Sequence, residues 1–297
     1  LKAFHTSGFL GSEYAPFFLV EPDQAVEAVK PPEGMSDARF AKRYKEYKKL
    51  LANSPIQQHG SEYQKESLLK SIDNAHRLLS SPKARKAFDL SLESKESYET
   101  YKVGGRFGLG CLLAKRLTEA GARFIEVTHG YYPFKYWDTH DNGHTRMREL
   151  KAMIDAPIAQ LVLDLEKSNL LDRTLIVVAS EFSRDMMMEG KPEKRVKDQV
   201  NVPTRIDGLQ HYGMHRHFTG AGSVLLFGGG IKKGFVYGET ADERPCTTIK
   251  DPINTQQLHS TIYRALGIPH DHHYNVEQRP FYVTPDGVTE PVMDLFG

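Results

Sequence analysis

Residues 174–185 have the sequence TLIVVASEFSRD, and this stretch decides the fold that we expect for the chain. Its first half, TLIVVA, is an unbroken apolar run rich in β-branched residues. Such a run is typical of a strand that is covered on both faces. A second run, SVLLF at 223–227, ends in three consecutive glycines that predict a tight strand exit. We therefore predict a buried strand at each run.

Helical patterns alternate with these strands in the second part of the chain. Strand formers also occupy 123–128 (RFIEVT), and we predict a third strand there. The spacing of apolar residues predicts helices at about 107–117, 147–169 and 258–266. Pro157 predicts a kink in the second helix, or its division into two pieces. The alternation predicts an α/β fold, with a mostly parallel sheet flanked by helices.

The first part of the chain has a different sequence pattern. Residues 1–35 are aromatic-rich and irregular, with several glycines and prolines. Ser36 offers a helix N-cap, a second amphipathic stretch runs over 68–79, and Ser81 precedes a proline at a permitted first-turn position. We predict one domain over 1–297, with a helical wrapping segment at 1–103 and an α/β core at 104–297.

Composition excludes several classes of function. The chain has 297 residues with 39 Lys plus Arg against 38 Asp plus Glu, so its net charge does not indicate nucleic acid or a membrane surface as partner. It has no apolar run of about 20 residues, the length that a membrane span requires. Two cysteines are too few for a disulfide framework, although one bridge stays open. Cys111 lies on an apolar helical stripe, and we expect it to be buried.

Three polar clusters carry the chemistry. Residues 136–144 (YWDTHDNGH) contain Asp138 and His140 on a loop, and carboxylate and imidazole together suit a divalent cation. The SEFSRD cluster follows TLIVVA directly. Because ligands bind beyond the carboxyl ends of strands in open α/β sheets, we expect these two loops to share an edge. The third cluster, HYGMHRHF at 211–218, precedes SVLLF, and only folding could bring it there.

Several segments of the chain together resemble one family. In order, these segments are GFLGSEYAPF, SSPKARKAFDLS, RFGLGCLLAKRLTEAGARFIEV, WDTHDN, LLDRTLIVVASEFSR, RHF and SVLLFGGGIKKG. They resemble the domain-of-unknown-function family 1501, which is sulfatase-like and related to the alkaline phosphatase superfamily. The resemblance implies a three-layer alkaline-phosphatase-like fold. It also implies that an N-terminal portion, which carries the superfamily's nucleophile and one metal-binding carboxylate, is missing from this sequence.

The resemblance assigns site residues one by one. Asp138 and His140 match the family's Asp-Thr-His, and Glu181 matches the acidic residue after the strand. His217 matches the histidine of the family's Asp-His-Trp by its offset from SVLLF. The resemblance therefore implies that these four residues bind metal. In the sequence itself, Asp138 could instead cap a turn, and His140 could bond a backbone carbonyl.

Other positions depart from the family pattern or supply catalytic groups. Arg184 matches the arginine of the family's Glu-Phe-Gly-Arg, so Glu181 and Arg184 are the candidate catalytic residues. A strand-end ion pair between them is the alternative. Phe182 stands where phosphatases and sulfatases of the superfamily have a histidine ligand, and Arg216 and Phe218 replace the family's Asp and Trp. The loss of one ligand position implies at most one tightly bound metal ion.

The function that the resemblance implies is metal-dependent hydrolysis of sulfate or phosphate esters. Zinc is the expected ion, with calcium or magnesium as alternatives. The expected substrate is a small anionic ester or a sulfated polysaccharide. Family members commonly carry twin-arginine export signals, which implies an extracytoplasmic location. The alternative is a non-catalytic binding or scaffold domain that keeps the fold, associated with polysaccharide.

Overall fold

The computed structural model describes residue 7 and residues 10–130, 135–139, 142–184, 208–211, 217–243, 246–276 and 278–297. The chain divides into two compact units, residues 1–127 and residues 128–297. Over the described ranges, no helix has both the length and the hydrophobicity needed to cross a membrane. The two units are described separately below.

The first unit is helical. Its α-helices are α1 (Asp37–Ala52), α2 (Pro55–His59), α3 (Glu62–Leu79), α4 (Pro82–Phe88), α5 (Lys95–Lys102) and α6 (Gly105–Glu119). Within the described residues of this unit, 3-10 helices lie at Ser12–Tyr14, Pro22–Val29 and Leu90–Leu92. The predicted helices are confirmed, and α6, which the sequence pattern grouped with the α/β core, packs against α4 and α5.

Serine caps explain where several of these helices begin. The backbone N–H of Arg39 donates to the Ser36 hydroxyl at 3.2 Å, as predicted for the start of α1. Ser61 and Gln64 form a reciprocal capping box at the start of α3. Each cap satisfies backbone N–H groups that have no partner inside the helix. The helix boundaries are therefore fixed by local sequence.

The core of the helical unit is built around α6. Tyr101 and Leu112 are fully buried, and Val29 of the second 3-10 helix is buried with them. At the edge of this core, the Glu93 carboxylate accepts hydrogen bonds from Arg116 at 2.6 Å and from Lys115 at 3.2 Å. Burial acts to raise the pKa of Glu93, but these charged donors outweigh it and hold that pKa below its ordinary value.

The second unit combines two long helices with short strands. The helices are α7 (Gly143–Lys167) and α8 (Thr255–Ala265). The strands are β1 (Ile176–Val178), β2 (Ser183–Arg184), β3 (His217–Phe218), β4 (Leu225–Phe227), β5 (Glu239–Thr240), β6 (Thr248–Lys250), β7 (His273–Val276) and β8 (Arg279–Tyr282). Short 3-10 helices lie at Leu171–Arg173, Leu209–His211, Pro285–Gly287 and Met293–Leu295. The fold is thus a mixture of helices and strands, as predicted in outline.

The strand pairing differs from the prediction. The described strands form four two-stranded pairs, β1–β4, β2–β3, β5–β6 and β7–β8, and all four are antiparallel. The parallel pairing predicted for TLIVVA and SVLLF is therefore wrong, because Ile176 pairs with Phe227 in antiparallel register. A parallel pair needs a crossover, usually a helix. Here β2 pairs with β3 between the two runs in the sequence, and both of these pairs are antiparallel.

Two further strand predictions are wrong. Residues 123–128 (RFIEVT) contain no strand, and the side chain of Phe124 is 80% exposed, so no neighbouring strand covers it. The β1 strand is half-buried and not covered on both faces, and Leu225 of β4 is 56% exposed. β-branched composition indicates a pleated segment, but it does not determine how many layers pack on it.

The helices of the second unit agree more closely with the sequence. The α7 helix runs unbroken through Pro157, so the alternative of two helical pieces is wrong. The α8 helix begins with a capping box between Asn254 and Gln257. It ends before Gly267, whose φ of +75° lies in the left-handed region that suits a helix C-cap.

The glycines after SVLLF are required by a close backbone contact. Gly228 has a φ of +71°, and a Cβ atom there would lie 2.3 Å from the carbonyl oxygen of Leu171. The backbone N–H of Gly229 donates to that same carbonyl at 3.0 Å. Both observations confirm the predicted tight strand exit and give it a structural cause.

Cysteine reactivity provides the first testable prediction. Both cysteines are free thiols, so the disulfide left open by the sequence is not formed. Burial raises the pKa of Cys111 to about 12, whereas Cys246 is only half-buried. Because the thiolate is the reactive form, we expect a disulfide reagent at pH 8 to modify Cys246 in native protein and to reach Cys111 only after denaturation. Rapid native modification of Cys111, located by peptide mapping, would contradict this.

Candidate functional site

The YWDTH loop contains a tight turn at residues 135–139. The N–H of Asp138 donates to the Lys135 carbonyl at 3.1 Å, and the N–H of Thr139 donates to the Trp137 carbonyl at 2.8 Å. Tyr136 has a φ of +53°, which non-glycine residues rarely adopt. Thr139 is buried and Asp138 is half-buried. Asp138 therefore lies in a turn whose backbone hydrogen bonds are defined.

His129 bonds directly to this turn. The indole Nε1–H of Trp137 donates to Nδ1 of His129 at 2.8 Å. The ring of Tyr136 lies edge-on to the same imidazole, with ring centroids 6.0 Å apart. Since a neutral imidazole has one N–H and one lone pair, a bond accepted at Nδ1 leaves the proton on Nε2. The contact thus selects one tautomer of His129.

The pKa of His129 provides a second prediction. Burial lowers this pKa below the ordinary value of 6.5, so the unfolded chain binds more protons than the folded chain in the window just below 6.5. The contribution of neutral His129 to the free energy of unfolding is complete above pH 6.5, and it is lost as the pH falls through the pKa of the folded state. We expect the emission of Trp137, the only tryptophan, to change with a midpoint below 6.5. This transition should vanish in His129→Asn, and its persistence there would contradict the assignment.

The β2–β3 strand pair, called the ribbon below, joins the second polar cluster to the end of the third. Arg184 of β2 pairs with His217 of β3 in antiparallel register. The ring of Phe182 stacks on the imidazole of His217 with centroids 3.9 Å apart and an interplanar angle of 28°. Phe182 thus supports His217 by aromatic contact.

A backbone contact links the first cluster to the start of the third. The N–H of Asn142, at the N-terminus of α7, donates to the carbonyl of Gln210 at 3.0 Å. Gln210 belongs to the 3-10 helix Leu209–His211, which packs against α7. The segment that leads into β3 therefore begins beside the end of the WDTHDN loop.

The predicted site residues lie at different depths. Asp138 is half-buried on its turn, Glu181 is exposed between β1 and β2, and His217 is exposed on β3. Arg184 has its backbone in β2, opposite His217. His140 lies outside the described residues. Within the part of the chain that the structure describes, no three His, Cys, Asp or Glu residues are grouped closely enough to hold a metal ion.

His129 is the site residue that the sequence analysis missed. It follows the RFIEVT segment directly, as the SEFSRD cluster follows TLIVVA. The same rule of polar residues just beyond an apolar run would have selected it. Its partner Trp137 was noted as the only tryptophan, but their contact spans eight residues and depends on the intervening loop.

Taken together, the described residues define a mixed helical and strand protein, with a polar turn at residues 135–139 and a polar strand pair at β2–β3. The family model described as "Protein of unknown function (DUF1501)" matches residues 1–295. The chain belongs to this family, which confirms the resemblance at family level. No curated protein and no solved structure matches the chain.

Proposed function

We propose that the chain is a metal-dependent hydrolase of sulfate or phosphate esters, related to sulfatases and the alkaline phosphatase superfamily. The observation that carries the proposal is the ribbon register, which pairs Arg184, two residues beyond the stacked Phe182, with His217. The bond between Asn142 and Gln210 supports it, because it brings the WDTHDN loop to the segment leading into the ribbon.

The residue types of the proposed donor set suit a divalent cation, but the described members Asp138, Glu181 and His217 do not form one group in this structure, so ion binding would have to draw them together. We propose Asp138, His140, Glu181 and His217 as ligands, a mixture of carboxylates and imidazoles that matches zinc. Calcium or magnesium would rely on the two carboxylates. When bound, the ion would polarise an oxygen of the ester and stabilise the charge that develops on it. Since Phe182 occupies the position of one superfamily ligand, we propose one ion and not two.

The remaining residues bind and orient the substrate. Arg184 would pair with two oxygens of the sulfate or phosphate group, since the guanidinium fork matches such anions. Glu181, when not a ligand, would accept or deliver the proton that moves between water and the leaving alcohol. The overall reaction consumes one water and releases an alcohol and the free anion. Glu181 and His217 are exposed, so a small ester or a sulfated polysaccharide could reach them. We propose that this reaction takes place outside the cytoplasm.

One observation favours a second candidate. The Phe182 ring packs against His217 at 3.9 Å, and an aromatic ring in a ligand position supplies no lone pair for a metal. Under this alternative, the family fold would serve as a non-catalytic binding or scaffold domain associated with polysaccharide. The two candidates differ in whether ester hydrolysis depends on the ribbon residues.

A substitution of Arg184 tests the proposal. Aryl sulfate and aryl phosphate esters would be assayed with added zinc, calcium or magnesium. We expect Arg184→Lys to lower kcat/KM by about 100-fold, because a single ammonium cannot replace the bidentate fork. Metal content should be unchanged, since guanidinium does not bind cations. The matched control is Arg173→Lys, at an exposed arginine of the same unit. Hydrolysis no faster than the uncatalysed background in all three proteins would favour the scaffold, whereas equal catalysed rates would contradict the role of Arg184.

A further inference from the structure

We propose that His129 and Trp137 form a clasp that positions Asp138, and that His129 acts as a positioning residue and not as a metal ligand. The term clasp denotes the hydrogen bond from the Trp137 indole to the His129 imidazole. The importance of Asp138 rests on the proposed function, whereas the clasp itself rests on geometry alone. No feature of the family resemblance assigns a role to His129.

The clasp holds Trp137 from two directions. Its indole N–H bonds to His129 at 2.8 Å, and its carbonyl accepts the N–H of Thr139 at 2.8 Å. Asp138 lies between the two bonded residues, and its own N–H is bonded to Lys135. Thr139 is only 1% exposed, so the turn cannot tilt freely toward solvent. Because Trp137 and Asp138 share a peptide bond, a displacement of the indole would also displace the backbone of Asp138.

The backbone next to the clasp gives independent support. Gly130 has a φ of +71°, and a Cβ atom there would lie 2.7 Å from Cβ of Tyr136 and 3.2 Å from Cδ1 of Trp137. The first distance is shorter than Cβ contacts allow and the second is tighter than usual, so a side chain at residue 130 would force the two segments to shift. The chain thus uses a glycine and a hydrogen bond at adjacent positions to secure the same contact.

The tautomer determines what His129 can do. Its Nδ1 lone pair is occupied by the indole proton, and Nε2 carries the ring proton. Neither nitrogen then offers a lone pair to a cation or to a substrate proton. Protonation of Nδ1 would place two donors face to face and open the clasp. Among the described groups, the phenol-bearing ring of Tyr136 is the titratable side chain that lies against His129.

Two substitutions at His129 separate positioning from simple packing. His129→Asn keeps an oxygen acceptor near the position of Nδ1, whereas His129→Leu fills similar space without an acceptor. The readout is hydrogen exchange at the backbone amides of Asp138 and Thr139, measured in the folded chain. We expect about 2- to 10-fold faster exchange in His129→Leu, the range that one net hydrogen bond covers. His129→Asn should restore the wild-type rate.

A second variant keeps the test decisive if His129→Leu fails to fold. Trp137→Phe keeps an aromatic ring and removes only the indole donor, so it should accelerate exchange at the same two amides. Amides in the middle of α7 serve as the control and should not change. In wild type and the His129 variants, acrylamide quenching of the single tryptophan reports the indole directly, and it should increase in His129→Leu only.

The outcomes distinguish the clasp from the proposed function. Unchanged exchange at Asp138 and Thr139 in both His129→Leu and Trp137→Phe would overturn the positioning role. Faster exchange with recovery in His129→Asn would establish it. If the wild-type chain binds no zinc and hydrolyses no ester while the exchange pattern holds, the proposed function fails and the clasp stands. If zinc binds, we expect its affinity to fall about 10-fold in His129→Leu.

Discussion

Replacing Leu112 with alanine should lower the free energy of unfolding of the helical unit by about 2–5 kcal/mol. The side chain is 0% exposed and lies in the buried stretch of α6. Its loss removes apolar contacts and leaves a cavity that the packed neighbours fill only in part. Urea denaturation followed by far-ultraviolet circular dichroism would measure the change, because the regular elements described in this unit are all helices.

The matched control is Leu50→Ala in α1, where the leucine is 70% exposed. We expect that substitution to change the free energy of unfolding by less than about 0.5 kcal/mol. Equal effects at the two positions would contradict the core described for this unit. The fluorescence of Trp137 reports the other unit, so the two signals can be followed side by side in each variant.

Replacing His217 with alanine should lower the affinity for zinc by more than about 100-fold. Changes to residues that only support metal ligands already cost about 10–100-fold, and His217 is proposed to bind the ion itself. Isothermal titration of zinc into the purified chain would measure the effect. The matched control is His259→Ala, at an exposed histidine of α8 in the same unit.

The aromatic contact on His217 leads to a related prediction for Phe182. Phe182→Leu removes the ring that stacks on the imidazole but keeps an apolar side chain. We expect a smaller loss of zinc affinity than in His217→Ala, because the ligand remains and only its orientation is relaxed. Zinc affinity that is the same in wild type and His217→Ala would support the scaffold alternative.

Local sequence predicted the helices well. Ser36 and Ser61 cap α1 and α3 by bonds to the residues three positions later, which depend on nearby residues only. Gly121 and Gly267 follow the ends of α6 and α8 with positive φ, as their positions indicated. These features act over one or two turns, so the amino-acid sequence contains most of the information that they need.

The strand pairing could not be predicted in the same way. TLIVVA and SVLLF were located correctly, but their own residues do not determine whether they pair parallel or antiparallel. The direction depends on how the chain connects the two strands, and here both β1–β4 and β2–β3 pair antiparallel. The segment RFIEVT shows the limit of propensity, since strand-forming residues without a partner strand remain irregular.

The candidate site was likewise predicted from the sequence only in part. Family motifs selected Asp138, Glu181, Arg184 and His217, and the ribbon explains how two of them meet in register. The sequence did not indicate His129, because its importance comes from one hydrogen bond to an indole and from the tautomer that this bond imposes. Such a contact depends on loop geometry that no periodic pattern encodes.

The central claim is that one divalent ion is bound through Asp138 and His217, and elemental analysis of the purified chain tests it most directly. After equilibration with zinc and removal of excess, we predict one equivalent per chain in the wild type. Asp138→Ala and His217→Ala should each retain less than about a tenth of that amount, as a carboxylate or imidazole ligand is lost. Two equivalents in the wild type, or zinc content unaffected by either substitution, would contradict the account.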